Sequence, residues 1–205
     1  MNSFRRWVHS GGLPEKLPAH YIRDDVWLDL SMEELFSHNL VKTAILVGWA
    51  KVVDEAKDGL IVGDRTLLTN DDARLATEQD ALYISYRSYE AKRVSFVSGN
   101  STDGDATEIN RSPDIVVEVV SPNSEDKDTE RLMDAYWRAG IPEYWLVDAR
   151  DEDDLRFTIY KHNTDGYEAT RKAGGWAKSG VLGRTFRLTR KTGRHGYPRY
   201  TLENR

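Results

Sequence analysis

The sequence predicts a single α/β domain, and three observations carry that prediction. The near-continuous aliphatic run Ile115, Val116, Val117, Val119 and Val120 reads as a strand covered on both faces. A helical pattern from about Glu125 to Ala139, stopped by Gly140, leads into a second buried strand in EYWLVDA. Strand, helix and strand form a βαβ unit, whose two strands run parallel by the right-handed crossover rule. Upstream, LFSHNLVKTAILVGWAKVVDEA holds apolar residues at helical spacing, enough to lie against a sheet.

Taken in order, residues 1–25 read as an N-terminal arm, since Gly11, Gly12, Pro14 and Pro18 interrupt any periodicity. Ser31 is an N-cap for one long helix over 32–56, ended by Asp58-Gly59, with Leu35, Leu40, Ala44, Val47 and Val52 on its inner face. LIVGD, RTLLT and RLATEQDALYISY read as the strands of a β-meander. Gly99 to Ser112 is polar and reads as a loop. After the βαβ unit, RFTIYK, the YEATRK region and FRLTRK supply further strands. The main domain spans 26–192, and 193–205 form a basic tail.

At 39% hydrophobic and 31% charged, the 205 residues have the apolar mass for one core. No apolar run is long enough to cross a bilayer and no apolar stretch follows the first basic residues, so a cytoplasmic protein without membrane contact is expected. The absence of cysteine excludes disulfides, thiolate metal sites and a cysteine nucleophile. Any metal must sit on oxygen or imidazole. Neither a P-loop, a G-x-G-x-x-G after a strand, a G-x-S-x-G nor an H-E-x-x-H is present, which disfavours a zinc hydrolase and leaves nucleotide-dependent and serine-hydrolase readings without support. The net charge of -5 hides a gradient: Arg171 to Arg205 holds ten Lys and Arg against Glu203 alone, +9, leaving -14 on the rest. This segment is either a basic strip for a polyanion or a solvated strand pair.

Glu118 stands inside the aliphatic run, where an unpaired carboxylate is expensive. It needs a cationic neighbour, a metal, or an open sheet edge. Asp114 lies four positions earlier on the same strand face, and Asp80 opens ALYIS as Asp114 opens IVVEVV. Two strand-borne acids brought together form an oxygen-rich seat for Mg²⁺ or Mn²⁺. His38 is either a helper at that seat or a hydrogen-bonded spectator. Aromatics at Tyr136-Trp137 and Tyr144-Trp145 read as core and subunit contacts rather than base-stacking platforms, and a homodimer through this helix or the arm is compatible with them.

Residues Pro113 to Ala149, PDIVVEVVSPNSEDKDTERLMDAYWRAGIPEYWLVDA, resemble the signature of the Uma2 (DUF820) family within the restriction-endonuclease-like PD-(D/E)XK superfamily. Around it, His38 early in a long helix, DGLIVGDRTLL, RLATEQDALYIS and the closing FTIYK to FRL segment are similar in order, over roughly residues 30–190. The resemblance implies a three-layer fold with a central mixed β-sheet flanked by helices. It also implies a metal-dependent endonuclease acting on DNA, with Asp80, Glu118 and the Val119 carbonyl on Mg²⁺ or Mn²⁺ and Asp114 and His38 nearby. The superfamily's Lys position is Val120 here, and the alternative helical position, four before Tyr136, is Leu132. Lys127 or Arg131 would then supply the cation. Three readings follow: a nuclease with a relocated cation, a nuclease without one, or a catalytically degenerate binding or regulatory protein.

Overall fold

A computed structural model describes residues 1–10, 17–29, 32–63, 66–98, 105–122 and 124–205; the Ser31 cap and residues 99–104 of the polar stretch lie outside them. In chain order the elements begin with α1 (Asn2–His9), β1 (Ala19–Ile22) and β2 (Asp25–Leu28). A π-helical turn, Leu35–Asn39, opens α2 (Leu40–Ala56). Then come β3 (Gly59–Gly63), β4 (Leu67–Asn70), β5 (Leu75–Glu78), β6 (Ala81–Ser85), α3 (Tyr86–Glu90), β7 (Val94–Ser98), β8 (Ala106–Arg111) and β9 (Ile115–Val119). A second π-helical turn, Lys127–Arg131, opens α4 (Leu132–Arg138). The chain closes with β10 (Glu143–Asp148), β11 (Arg156–Asn163), β12 (Gly166–Ala169), β13 (Ala177–Lys178), β14 (Thr185–Thr192) and β15 (Pro198–Asn204).

The central sheet has the order β12-β11-β10-β9-β6-β3. It is mixed: β9 and β10 are parallel, with Glu118 opposite Leu146, and the neighbouring pairs are antiparallel. On one face, Val117, Val119, Trp145 and Val147 pack with Val41, Ile45 and Trp49 of α2 and with Phe186 and Leu202 of the β13-β14-β15 sheet. On the other, Leu82, Val116 and Tyr144 pack with Leu132 and Tyr136 of α4 and with Leu68 and Leu75 of the remaining sheet, β2-β1-β5-β4-β8-β7. Period-two alternation along β9 thus feeds two cores. Gly48 lets β15 approach α2 closely, because a Cβ there would lie 2.7 Å from the Leu202 Cβ.

Several elements differ from the sequence reading, each for a local reason. The helix before Ala56 begins at the turn from Leu35, not at Met32, and Lys57 at φ 53° stops it before Gly59 enters β3. Its buried residues are Val41, Lys42, Ile45, Gly48, Trp49, Val52 and Val53, whereas Leu35 and Val47 face solvent. The β-meander is interrupted: β3 pairs with β6, while β4 and β5 form a hairpin in another sheet. RLATEQDALYIS is therefore two strands, broken at Gln79-Asp80. Within the expected loop, ATEINR is strand β8, where buried Glu108 is satisfied by Arg5, His9 and Thr69. The arm is built in too, since β1 is buried and pairs with β2 and β5. The stretch read as a tail contributes β15, paired with β14 along seven residues.

Candidate active site

Glu118 faces α4 because it alternates with Val117 and Val119, which point toward α2. There its Oε1 accepts a hydrogen bond from the Tyr136 hydroxyl at 2.5 Å. Asp80 occupies the break between β5 and β6, and its Oδ2 accepts from the Val119 N–H at 2.6 Å. That bond fixes one acid beside the strand residue that follows the other. Both acids open into one cavity of about 380 Å³, also lined by His20, Glu33, His38, Val119, Lys127 and Asp128.

The cavity divides around Asp80. On the α2 side, His38 Nε2 lies 3.4 Å from Asp80 Oδ2, and Lys42 Nζ lies 3.6 Å from Oδ1 and 2.9 Å from each oxygen of Glu33. On the α4 side, Lys127 Nζ lies 3.3 Å from Asp128 Oδ1 and 3.5 Å from His20 Nε2, and His20 Nδ1 meets Thr77 Oγ1 at 2.7 Å. The Ser124 hydroxyl donates to Asp128 Oδ2. His38 and Lys127 both come from π-helical turns, a widened geometry that recurs at functional sites.

These surroundings pull the titrations apart. Burial raises Glu118 first, the charges of Asp80 and Asp128 add to it, and its carboxyl stands well above the usual range. Burial acts on Asp80 in the same direction, but His38, Lys42 and the Val119 N–H outweigh it and hold its carboxyl below the usual value. Burial also pushes Asp128 up, to about 6, against Lys127 and Ser124. Burial and Lys127 push His20 down to about 3, so its imidazole is neutral. A neutral ring that donates from Nδ1 to Thr77 can accept from Lys127 at Nε2. Although burial disfavours the Lys127 ammonium, Asp128, Glu118 and Asp80 raise its pKa.

The donors suit a hard divalent cation. Glu33, His38 and Asp80 each offer a ligand atom within 4.8 Å of the others, and His38 Nδ1 is buried without a hydrogen-bond partner. The carboxylates are ordinary ligands for Mg²⁺ or Mn²⁺, and an imidazole among them favours Mn²⁺, the softer of the two.

Of the residues singled out by sequence, the cavity gathers Asp80, Glu118, Val119, His38 and Lys127. Asp114 lies elsewhere: it precedes β9, accepts from the Ser85 N–H at 2.7 Å and the Ser88 hydroxyl at 2.6 Å, and so tethers α3. Sharing a strand face with Glu118 is not enough, since four residues of strand separate their ends by roughly 13 Å. Arg131 also points away, to Asp25 at 3.2 Å and over the Trp27 ring at 4.5 Å. Sequence reasoning missed Glu33, Lys42, His20 and Asp128. Lys42 was findable, four positions after His38 on one helix. His20 was not, because only the pairing of β1 with β5 brings it in.

The model of a family described as "Putative restriction endonuclease", Uma2, matches residues 18–189. The chain belongs to the Uma2 family. The crystal structure of "a putative nuclease belonging to DUF820" from Anabaena variabilis is similar in fold, with a TM-score of 0.61 at 14% identity, covering 84% of this chain and 87% of that one. A search of curated proteins found no match. Within this Uma2 domain, Leu132 is fully buried among apolar neighbours, whereas Lys127 lines the cavity on the α4 side. Among the described residues no helix is long and apolar enough to cross a membrane.

Proposed function

We propose that the protein is a divalent-metal-dependent endonuclease that hydrolyses DNA phosphodiesters in this cavity. The observation that carries the reading is the convergence of Asp80, Glu118 and Lys127 on one hollow from three separate segments. Asp80, Glu118 and the Val119 carbonyl would hold Mg²⁺ or Mn²⁺, with His38 and Glu33 at the side where Asp80 meets α2. Such an ion supplies an acidified water and stabilises charge on the phosphate oxygens.

The chain's own groups then divide the work. Lys42 and His38 keep Asp80 ionised. Tyr136 fixes the Glu118 carboxyl by holding Oε1. The Lys127 ammonium, steadied by neutral His20 and by Asp128, offsets charge building in the transition state and orients the attacking water. Basic residues of β14 and β15 add contact with the phosphate backbone that weakens as salt rises.

The test is cleavage of plasmid and linear DNA with Mg²⁺ or Mn²⁺. Glu118→Ala should abolish metal-dependent cutting, and unchanged cutting by that variant would sink the reading. Burial of aliphatic Leu132 at the helical position favours a second reading, a degenerate nuclease fold that binds without cutting. Calorimetric titration separates the two: Mn²⁺ binding lost in Asp80→Asn supports the enzyme, and silence in the unaltered protein supports the relic.

A further inference from the structure

The turn that carries His38 into the cavity also carries Phe36, which does not line that cavity and forms a separate surface. Phe36, two residues before His38, stacks on Tyr197 of the β14–β15 loop with ring centroids 5.1 Å apart and planes 16° from parallel. Both rings are exposed, at 41% and 57%, and neither lies in a core cluster. Stacked aromatics that add nothing to a core leave faces open to another flat ring. Lys191, Arg194 and Arg199 surround the loop, are exposed, and form no ion pair among the described residues. This contrasts with Arg187 of the same sheet and Arg184 just before it, which are held by Glu203 and Glu55.

The acids of the cavity are recessed: Asp80 is 8% exposed and Glu118 4% exposed, in a hollow of about 380 Å³. That volume is at the small end for ligand pockets. In a duplex, base faces are covered by their neighbours. A nucleic acid can offer a base face to an aromatic ledge only where its bases are unpaired.

Resting on the nuclease reading, we propose that the substrate is DNA with unpaired nucleotides, a single strand or a single-stranded flank. A base stacks on the Phe36–Tyr197 ledge, while Lys191, Arg194 and Arg199 hold the adjoining phosphates and direct the strand toward Asp80 and Glu118. Stacking tolerates any base, so this ledge selects strandedness, not sequence.

The experiment reads binding, not cutting. Fluorescence anisotropy in metal-free buffer compares a labelled single strand of about 16 nucleotides with the same sequence as a duplex, at one fixed salt concentration. The single strand should bind about 10-fold tighter than the duplex. Tyr197→Ala and Phe36→Ala should each weaken single-strand binding by about 5-fold or more while leaving duplex binding unchanged, and Tyr197→Phe should retain it. Equal or tighter duplex binding, or single-strand binding indifferent to both alanine variants, overturns the proposal. Because no cleavage is measured, loss of the hydrolytic reading, seen as no cutting under any metal, leaves this result free to stand or fall alone. Both rings are exposed, so matching thermal melts establish that the variants fold.

Discussion

Two buried glutamates on adjacent parallel strands make different use of burial. Glu143 opens β10 and is surrounded by donors: the Trp145 indole at 3.0 Å, the Ser179 hydroxyl at 2.7 Å, and the N–H groups of Gly180 and Val181 at 2.5 and 3.1 Å. Glu118, on β9, has one donor among the described residues, Tyr136, and otherwise faces Asp80, Asp128 and the cavity. Both are under 5% exposed, at 3% and 4%. Burial of an acid is therefore a poor marker of function by itself; a shortage of donors beside other acids is the better one.

The sharpest way to break the comparison is to neutralise each acid. Glu118→Gln should lower cleavage by about 10³-fold or more while the melting temperature stays level or rises, because a desolvated, repelled carboxylate is removed. Glu143→Ala should do the reverse. It orphans four donors and costs about 3 kcal/mol or more, roughly 10 °C in Tm, with the folded fraction still cutting. If Glu118→Gln unfolds the protein and Glu143→Ala does not, the distinction fails.

A smaller effect tests the cation. Lys127→Met should reduce cleavage by about 10²-fold with metal affinity retained, and Arg131→Ala should change neither, since its guanidinium is engaged with exposed Asp25. Equal losses in both variants would remove Lys127 from its role.

The smallest effect is a slope. His20 binds its proton near pH 6.5 when unfolded and only near 3 when folded, so the unfolded state holds more protons between those values. Stability should therefore fall as pH drops from about 6.5 toward 3, by up to about 1.4 kcal/mol per pH unit from this residue. In urea titrations across that window, His20→Asn should flatten the slope relative to the unaltered chain. Parallel slopes would show that the ring titrates normally.

The legible parts of this fold were those with strong local patterns. IVVEVV and EYWLVD became the parallel centre of the sheet because continuous aliphatic runs have few alternatives to a doubly covered strand. Glu118 stood out by the same contrast. What stayed hidden depended on distant pairing: β8 looked like a loop because its Glu108 is neutralised by Arg5 and His9, about a hundred positions away. A straight helix from Met32 places Leu35 and Val47 on the buried face, whereas the wider first turn shifts that face to Val41, Ile45 and Trp49.

That wider geometry recurs before α4, where the Leu132 N–H reaches back five residues to the Lys127 carbonyl instead of four. Leu132 stays in the apolar core, while the turn so widened carries the Lys127 ammonium into the cavity. Shortening the loop by one peptide would swing that side chain roughly 100° off its bearing while sparing every carboxylate. In this chain the address of the positive charge is written in backbone winding, one residue of slack, as much as in the choice of amino acid.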